Sequence, residues 1–314
     1  IMAGLVGSEM CIRDRCMKKK SAPLIQNAPC ERCHGTHVLI ETVPGQRYAR
    51  GRLCECFPTP CHACSGTGFI LRRDRFHREM AASCPECVGR LQRVELYNEA
   101  RVPRRYLHSR LQATDQDKHN AQIFSLLDAI HRNLPDYLRT HQEQGSTTDD
   151  LKGMVLMGPP GTGKTYLLSG FVYQCTITHG ISCVFQGFTE LLSELRQGYS
   201  DGKSDMEIIE PHLLADVLII DDMGKGRNTP WELGILDTLI TERYNRDRIV
   251  MVTTNYTEAE ENTLRERVLS KDRSEEEQFL SDTIRKRVGE RIYSRLREMC
   301  YFEELNGPDR RQVD

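Results

Sequence analysis

The sequence predicts an α/β protein, a parallel sheet flanked by helices, preceded by a small cysteine-rich module. Three observations carry that prediction. The first is "GMVLM" (153–157) running straight into "GPPGTGKT" (158–165) and then a helical pattern: strand, glycine loop, helix. The second is "DVLIIDD" (216–222), a continuous apolar run ending in two carboxylates, as a strand buried on both faces reads. The third is four close cysteine pairs near the amino end: Cys30/Cys33, Cys54/Cys56, Cys61/Cys64 and Cys84/Cys87.

With 314 residues the chain has room for one large domain or two modest ones. Its 39% hydrophobic and 28% charged residues are ordinary for a soluble protein. Apolar runs such as "VLII" (217–220) are too short to span a bilayer, and no secretory pattern opens the chain. A cytoplasmic location, with no membrane partner, is therefore expected. The chain begins with Ile1, and "GLVGSEMCIRDR" is similar to translated sequencing-adapter sequence. Residues 1–16 are accordingly expected to be a non-native tail, with the protein starting at Met17. The expected domains are a duplicated cysteine module at 17–98, a linker with a lead-in helix at 99–150, and the α/β core at 151–314.

The net charge of −2 hides an asymmetry. Residues 17–115 hold 17 Lys/Arg against 9 Asp/Glu, so the front is basic and the remainder acidic. A basic front suits a nucleic-acid or acidic-protein partner.

The cysteine region is an internal repeat. "PCERCHGTHVLI…CEC" aligns with "PCHACSGTGFIL…CPEC", with about twenty residues between the pairs each time. Paired knuckles at such a separation bring four thiolates around one tetrahedral Zn²⁺. A disulfide framework would need an oxidising compartment, which nothing in the sequence indicates. Two structural zincs are expected, Cys30, Cys33, Cys54 and Cys56 on one and Cys61, Cys64, Cys84 and Cys87 on the other. Gly35 and Gly66 suit the left-handed turn below each metal. His34, His37 and His62 sit beside complete Cys₄ sets and need no metal role. Cys175, Cys183 and Cys300 stand alone in apolar settings and are expected to be packing residues. A module this small buries too little apolar surface to fold alone, so the metal is expected to fold it.

"GPPGTGKT" is a Walker A motif in its required context. Gly158, Pro159, Pro160, Gly161, Thr162 and Gly163 form a loop whose backbone N–H groups approach phosphates ahead of a helix N-terminus. Lys164 is expected on the β- and γ-phosphates, and Thr165 on Mg²⁺. Behind such a loop "VLIIDD" reads as Walker B: Asp221 holds Mg²⁺ through water and Asp222 polarises the attacking water. Strands at "ISCVF" (181–185) and "RIVMVTTN" (248–255) complete the pattern, with helices at "TELLSELRQGY" and after Thr229-Pro230, an N-cap followed by proline. Asn255, at the end of its strand, is placed to orient the water. "HNAQIFSLLDAIHRNLPDYL" (119–138) is an amphipathic lead-in helix, and "HQEQGSTTDD" an exposed loop.

Taken together, "GPPGTGKT", "LLSELRQGYSDG", "VLIIDDMG", "VTTN" and "GERIYSRL" resemble the DnaC/IstB branch of AAA+ ATPases, the bacterial helicase loaders and insertion-sequence helper ATPases. The resemblance covers roughly 100–311, including the lead-in "RVPRRYLHSRL". It implies a P-loop AAA+ core binding ATP and Mg²⁺, with Asn255 as sensor 1. It also implies that Arg291 is an arginine finger reaching a neighbouring subunit's ATP in a homo-oligomer, with Arg295 one helical turn on. Arg311 falls at sensor 2, with Arg310 competing for the role. Tyr199 either stacks on single-stranded DNA or caps its helix. The chain departs from the pattern in a long charged insertion, 259–285, and in the short stretch after Arg311, which leads us to expect no separate helical lid. "CxxCxGTG" is also similar to half of the zinc region of DnaJ-type chaperones.

In that family the amino-terminal domain holds the replicative helicase. Here the zinc module takes that position, and is expected to dock a partner protein or to bind DNA through "RRDRFHR" (72–78) and "RVPRR" (101–105). The resemblance implies a helicase loader acting on single-stranded DNA in replication. Two alternatives stand beside it: a transposition helper of the IstB kind, and a zinc-dependent adaptor or chaperone gated by nucleotide.

Overall fold

The computed structural model describes residues 30–112, 116–144, 151–258 and 283–311. The expected tail and nearly all of the charged insertion lie outside them.

The cysteine repeat folds as two matching ribbons. β1 (Val38–Thr42) pairs antiparallel with β2 (Ala49–Leu53), and β3 (Phe69–Arg73) with β4 (Glu79–Ser83). Matching hydrogen bonds follow the sequence repeat. Thr36 Oγ1 donates to Cys33 O at 2.7 Å, and Thr67 Oγ1 to Cys64 O at 2.8 Å. Gly35 (φ 82°) and Gly66 (φ 84°) both take the left-handed turn expected of them.

Helix α1 (Cys87–Glu99) starts on the last cysteine and runs onto the core. Val94 and Tyr97 bury one of its faces, and its end continues into Ala100 and Val102, also buried. Those residues join Val38 and Ala49 of the first ribbon and Tyr173 and Phe185 of the core in a single hydrophobic cluster. Polar ties reinforce it: Tyr48 Oη donates to Glu190 at 2.8 Å, and Phe185 N to Ala100 O at 2.8 Å. The first ribbon is therefore part of the core and not an appendage.

Helix α2 (Ala121–Gln144) buries Ile123, Phe124, Leu127, Ile130 and Leu134, a stripe at three- and four-residue spacing. The sheet then forms from β5 (Gly153–Met157), β6 (Cys183–Gly187), β7 (Val217–Asp221), β8 (Ile249–Thr253) and β9 (Cys300–Glu304). Its order is β6-β7-β8-β5-β9, and every pairing is parallel. Hydrophobic clusters lie on both faces, which explains why β5, β7 and β8 read as unbroken apolar runs. The flanking helices are α3 (Lys164–Tyr173), α4 (Phe188–Ser200), α5 (Asp205–Leu214), α6 (Pro230–Asn245), α7 (Ile284–Val288) and α8 (Glu290–Met299). Thr229 caps α6 through a capping box with Glu232, as its Thr-Pro start predicts. The chain order reverses at β5, between β8 and β9, and such a switch point leaves a crevice at the carboxyl ends of the strands.

Among the described residues no helix is long and apolar enough to cross a membrane.

Candidate functional site: a nucleotide pocket and two thiol clusters

The crevice at β5 is occupied by the glycine loop. Gly158 (φ 133°) lies so close to the segment after β9 that a Cβ there would sit 2.4 Å from Leu305 O. Side-chain bulk would push the loop off its seat. Gly163 (φ 104°) precedes α3 in the left-handed region and turns the backbone into the helix.

A cavity of about 680 Å³ opens over the loop, large enough for a nucleotide. It is lined by the loop from Pro160 to Thr165 together with Asp222, Asn255, Arg310, Arg311, Tyr106 and Asn120. Lys164 Nζ donates to Gly158 O (2.8 Å), Pro159 O (2.8 Å) and Asn255 Oδ1 (3.0 Å). Burial lowers its pKa to about 8, against the opposing charges of Asp222 and Asp221. A polyphosphate would replace the carbonyls as partner of this ammonium.

Asp221 Oδ1 accepts hydrogen bonds from Thr165 Oγ1 at 2.9 Å and Thr253 Oγ1 at 2.6 Å. Burial raises its pKa, partly offset by those hydroxyls. A buried carboxylate held by hydroxyls beside the Walker threonine fits a hard divalent cation such as Mg²⁺, with Thr165 and Asp221 to hold it. Asp222 takes a positive φ of 56°, and its backbone N–H donates to Thr253 Oγ1. Its carboxylate pairs with Lys225 at 3.0 Å.

Arg311 lines the pocket, and its charge acts on Lys164. Arg310 is spent on the scaffold, donating to Thr162 O at 3.1 Å and pairing with Asp117. Arg291 lies elsewhere: on α8, 69% exposed, 3.4 Å from Asp237 of α6. Arg295 shares that partner at 3.3 Å. Neither lines the nucleotide cavity of its own chain.

Tyr199 is 45% exposed at the end of α4. Its hydroxyl bonds to Asp205 and accepts from Trp231 Nε1 at 3.0 Å, with the two rings 6.2 Å apart. Arg196 lies 5.1 Å from the centre of the Trp231 ring. The sequence reading missed Trp231 and Arg196. Trp231 is the chain's one tryptophan, and an indole at the first turn of a capped helix was the available signal.

The thiols gather in the two expected groups, Cys30, Cys33, Cys54 and Cys56, and Cys61, Cys64, Cys84 and Cys87, all sulfurs of a group lying within 4.8 Å of one another. Sulfur–sulfur contacts across each group are 3.9 and 3.3 Å in the first and 3.9 and 3.6 Å in the second. Tetrahedral Zn–S bonds of about 2.3 Å imply sulfurs about 3.8 Å apart, whereas a disulfide would bring them to about 2 Å. Within the second group the thiols ionise unevenly: against the cost of burial, a hydrogen bond from the Gly68 N–H helps draw Cys64 down to about 6, while burial pushes Cys87 up to about 12. A cation at the centre would let all four ionise together. His37 Nδ1 lies 3.3 Å from Cys56 Sγ, where it orients that sulfur.

A parallel sheet with its switch point at a glycine loop, two carboxylates on the strand beside β8 and an asparagine after β8 defines a P-loop ATPase core of the AAA+ kind, fronted by Cys₄ ribbons. Residues 110–272 match the family of IstB-like ATP binding proteins, and the chain belongs to that family. Among curated relatives it is similar to the phage-like element PBSX protein XkdC of Bacillus subtilis (strain 168), 30% identical over 113 residues, covering 33% of this chain and 40% of that one. It is also similar to the uncharacterized protein YdaV of Escherichia coli (strain K12), 28% identical over 115 residues, 36% of this chain and 46% of that one. The chain spans less than half the length of these curated relatives. Among solved structures, the DnaC helicase loader is 22% identical, covering 64% of this chain and 99% of that one, with a TM-score of 0.47.

Proposed function

We propose that the chain is an ATP-gated helicase loader that acts on single-stranded DNA. Residues 17–98 serve as its contact module, 99–150 as the lead-in and 151–314 as the ATPase. The observation that carries the reading is the separation of two half-sites. The phosphate-binding groups are gathered in one cavity, while Arg291 stands exposed on α8, clear of that cavity. Such a division suits ATP shared between subunits, one supplying the loop and the next its guanidinium.

Within the pocket, Lys164 and Arg311 neutralise phosphate charge, Asn255 and Asp222 orient and polarise the attacking water, and Thr165 and Asp221 hold Mg²⁺. Bound Mg²⁺ supplies further neutralisation of the phosphates. Tyr199, Trp231 and Arg196 supply a stacking platform with a cation for single-stranded DNA.

The test is ATP hydrolysis by residues 17–314 with and without single-stranded DNA, beside Lys164→Ala and Arg291→Ala. A loader shows turnover that responds to DNA and vanishes in both variants. Turnover indifferent to DNA and to Arg291 would overturn the reading in favour of a nucleotide-gated adaptor.

A further inference from the structure

The two ribbons have the same fold and opposite surroundings. Repeat-equivalent positions lie thirty-one residues apart: Val38 corresponds to Phe69, and Ile40 to Leu71. Val38 is buried and Ile40 packs against the main cluster. Phe69 and Leu71 are 61% and 71% exposed. Among the described residues, no hydrogen bond or ion pair joins 61–86 to the ATPase core. The second ribbon therefore stands off the core with large apolar groups uncovered, opposite small cross-strand neighbours, Ser83 and Ala81.

Its hairpin tip is ordered and basic. Asp74 Oδ1 accepts from Phe76 N at 2.8 Å and Arg78 N at 3.0 Å, and the Asp74 carboxylate pairs with the Arg78 side chain. The one acid of the turn is thus consumed in shaping it. Arg75 and Arg78 place their guanidiniums 4.8 and 5.2 Å from the Phe76 ring, which remains 61% exposed. Arg72 and Arg75 have no ion-pair partner among the described residues.

We propose that the second ribbon binds a single-stranded nucleic acid along the β3–β4 hairpin. Bases stack on Phe69, Leu71 and the Arg75–Phe76–Arg78 cluster, and phosphates are neutralised by Arg72 and Arg75. Charge complementarity selects this occupant over a protein: the exposed apolar groups run directly into Arg72 and Arg75 at the hairpin tip, neither with an ion-pair partner among the described residues, where an apolar protein patch would exclude unpaired charge from its centre. Arginine, not lysine, supplies every cation between 69 and 83, and its planar group stacks as well as pairs. This site is separate from the Tyr199–Trp231 platform and does not depend on the loader reading.

The experiment is fluorescence anisotropy of a labelled oligothymidylate with zinc-loaded full chain, titrated across a salt series without nucleotide. The substitutions Tyr199→Ala and Trp231→Ala are present throughout, to silence the other platform. On that background, Phe69→Ala with Phe76→Ala should weaken binding about tenfold or more at unchanged salt slope. Arg72→Ala with Arg75→Ala should weaken it and also flatten the slope by about 1.4, the contribution of two phosphates on a single strand. All four side chains are exposed, and retention of two zincs per chain certifies the fold of each variant. Binding that keeps its parental affinity and slope in both pairs overturns the proposal, as does an absence of binding by the background protein. The titration holds no nucleotide, so a hydrolysis assay that overturns the loader reading leaves this result standing.

Discussion

At the scale of single residues, the proposed phosphate role of Lys164 predicts how nucleotide binding responds to pH. Burial lowers its pKa to about 8, and a polyphosphate beside it would favour the charged form. Below pH 8 the lysine is charged before and after binding, so affinity is flat. Above it, binding must take up a proton, and ATP affinity falls as pH rises, approaching tenfold per pH unit. Titration with a fluorescent nucleotide between pH 6 and 10 reads this directly, and Lys164→Arg should flatten the profile. With Asp222 in its proposed role, Asp222→Asn should lower single-turnover hydrolysis at saturating nucleotide on the order of 10²–10⁴-fold, because it removes the charge that would polarise the water while keeping the side chain's shape. A scaffold residue matters as much to the fold. Arg243 is fully buried and donates to His212 O (2.8 Å), Ala215 O (2.8 Å) and Ile249 O (2.6 Å), among others. Arg243→Ala would strand those carbonyls and should destabilise the chain by about 3 kcal/mol, read in urea denaturation. The positions of the glycine loop, both carboxylates and Asn255 at strand ends were legible because each follows directly on an apolar run. Trp231, Arg196 and Lys225 were not, because their partners come together only when α4, α6 and the loop after β7 pack.

At the scale of elements, the two ribbons predict different responses to metal loss. The first shares its apolar cluster with the ATPase, whereas the second shares none of it. Cys33→Ser should therefore lower the melting temperature of the ATPase transition itself, by about 5 °C or more. Cys64→Ser should leave that transition in place and unfold only its own hairpin, seen as local loss of hydrogen-exchange protection. The duplication and the cysteine grouping were visible in sequence from spacing alone. The unequal docking was not: "VLIET" and "FILRR" are both plausible strands, and only tertiary contact separates a buried valine from a bare phenylalanine. β9 escaped for a related reason. "CYFEE" is short and mixed, and becomes a strand because β5 offers it a free edge at the switch point.

At the scale of the whole molecule, the proposed sharing of ATP between subunits makes a claim about mixtures. Chains carrying Lys164→Ala lack the phosphate lysine but keep the guanidinium, and chains carrying Arg291→Ala have the reverse defect. Each alone should be inactive. Mixed in equal amounts, they form some interfaces with both intact halves, and turnover should return to a sizeable fraction of the parental rate. A mixture as inactive as its components would place Arg291 outside the reaction.

Helix α1 adds a mechanical consequence. It begins at Cys87 of the second thiol cluster and ends where Ala100 accepts a hydrogen bond from Phe185 of β6. Thirteen helical residues make a stiff rod about 20 Å long. A tilt of about 5° at the sheet end would swing the far ribbon by about 2 Å, so a small adjustment beside β6 becomes a displacement large enough to make or break a contact outside the core.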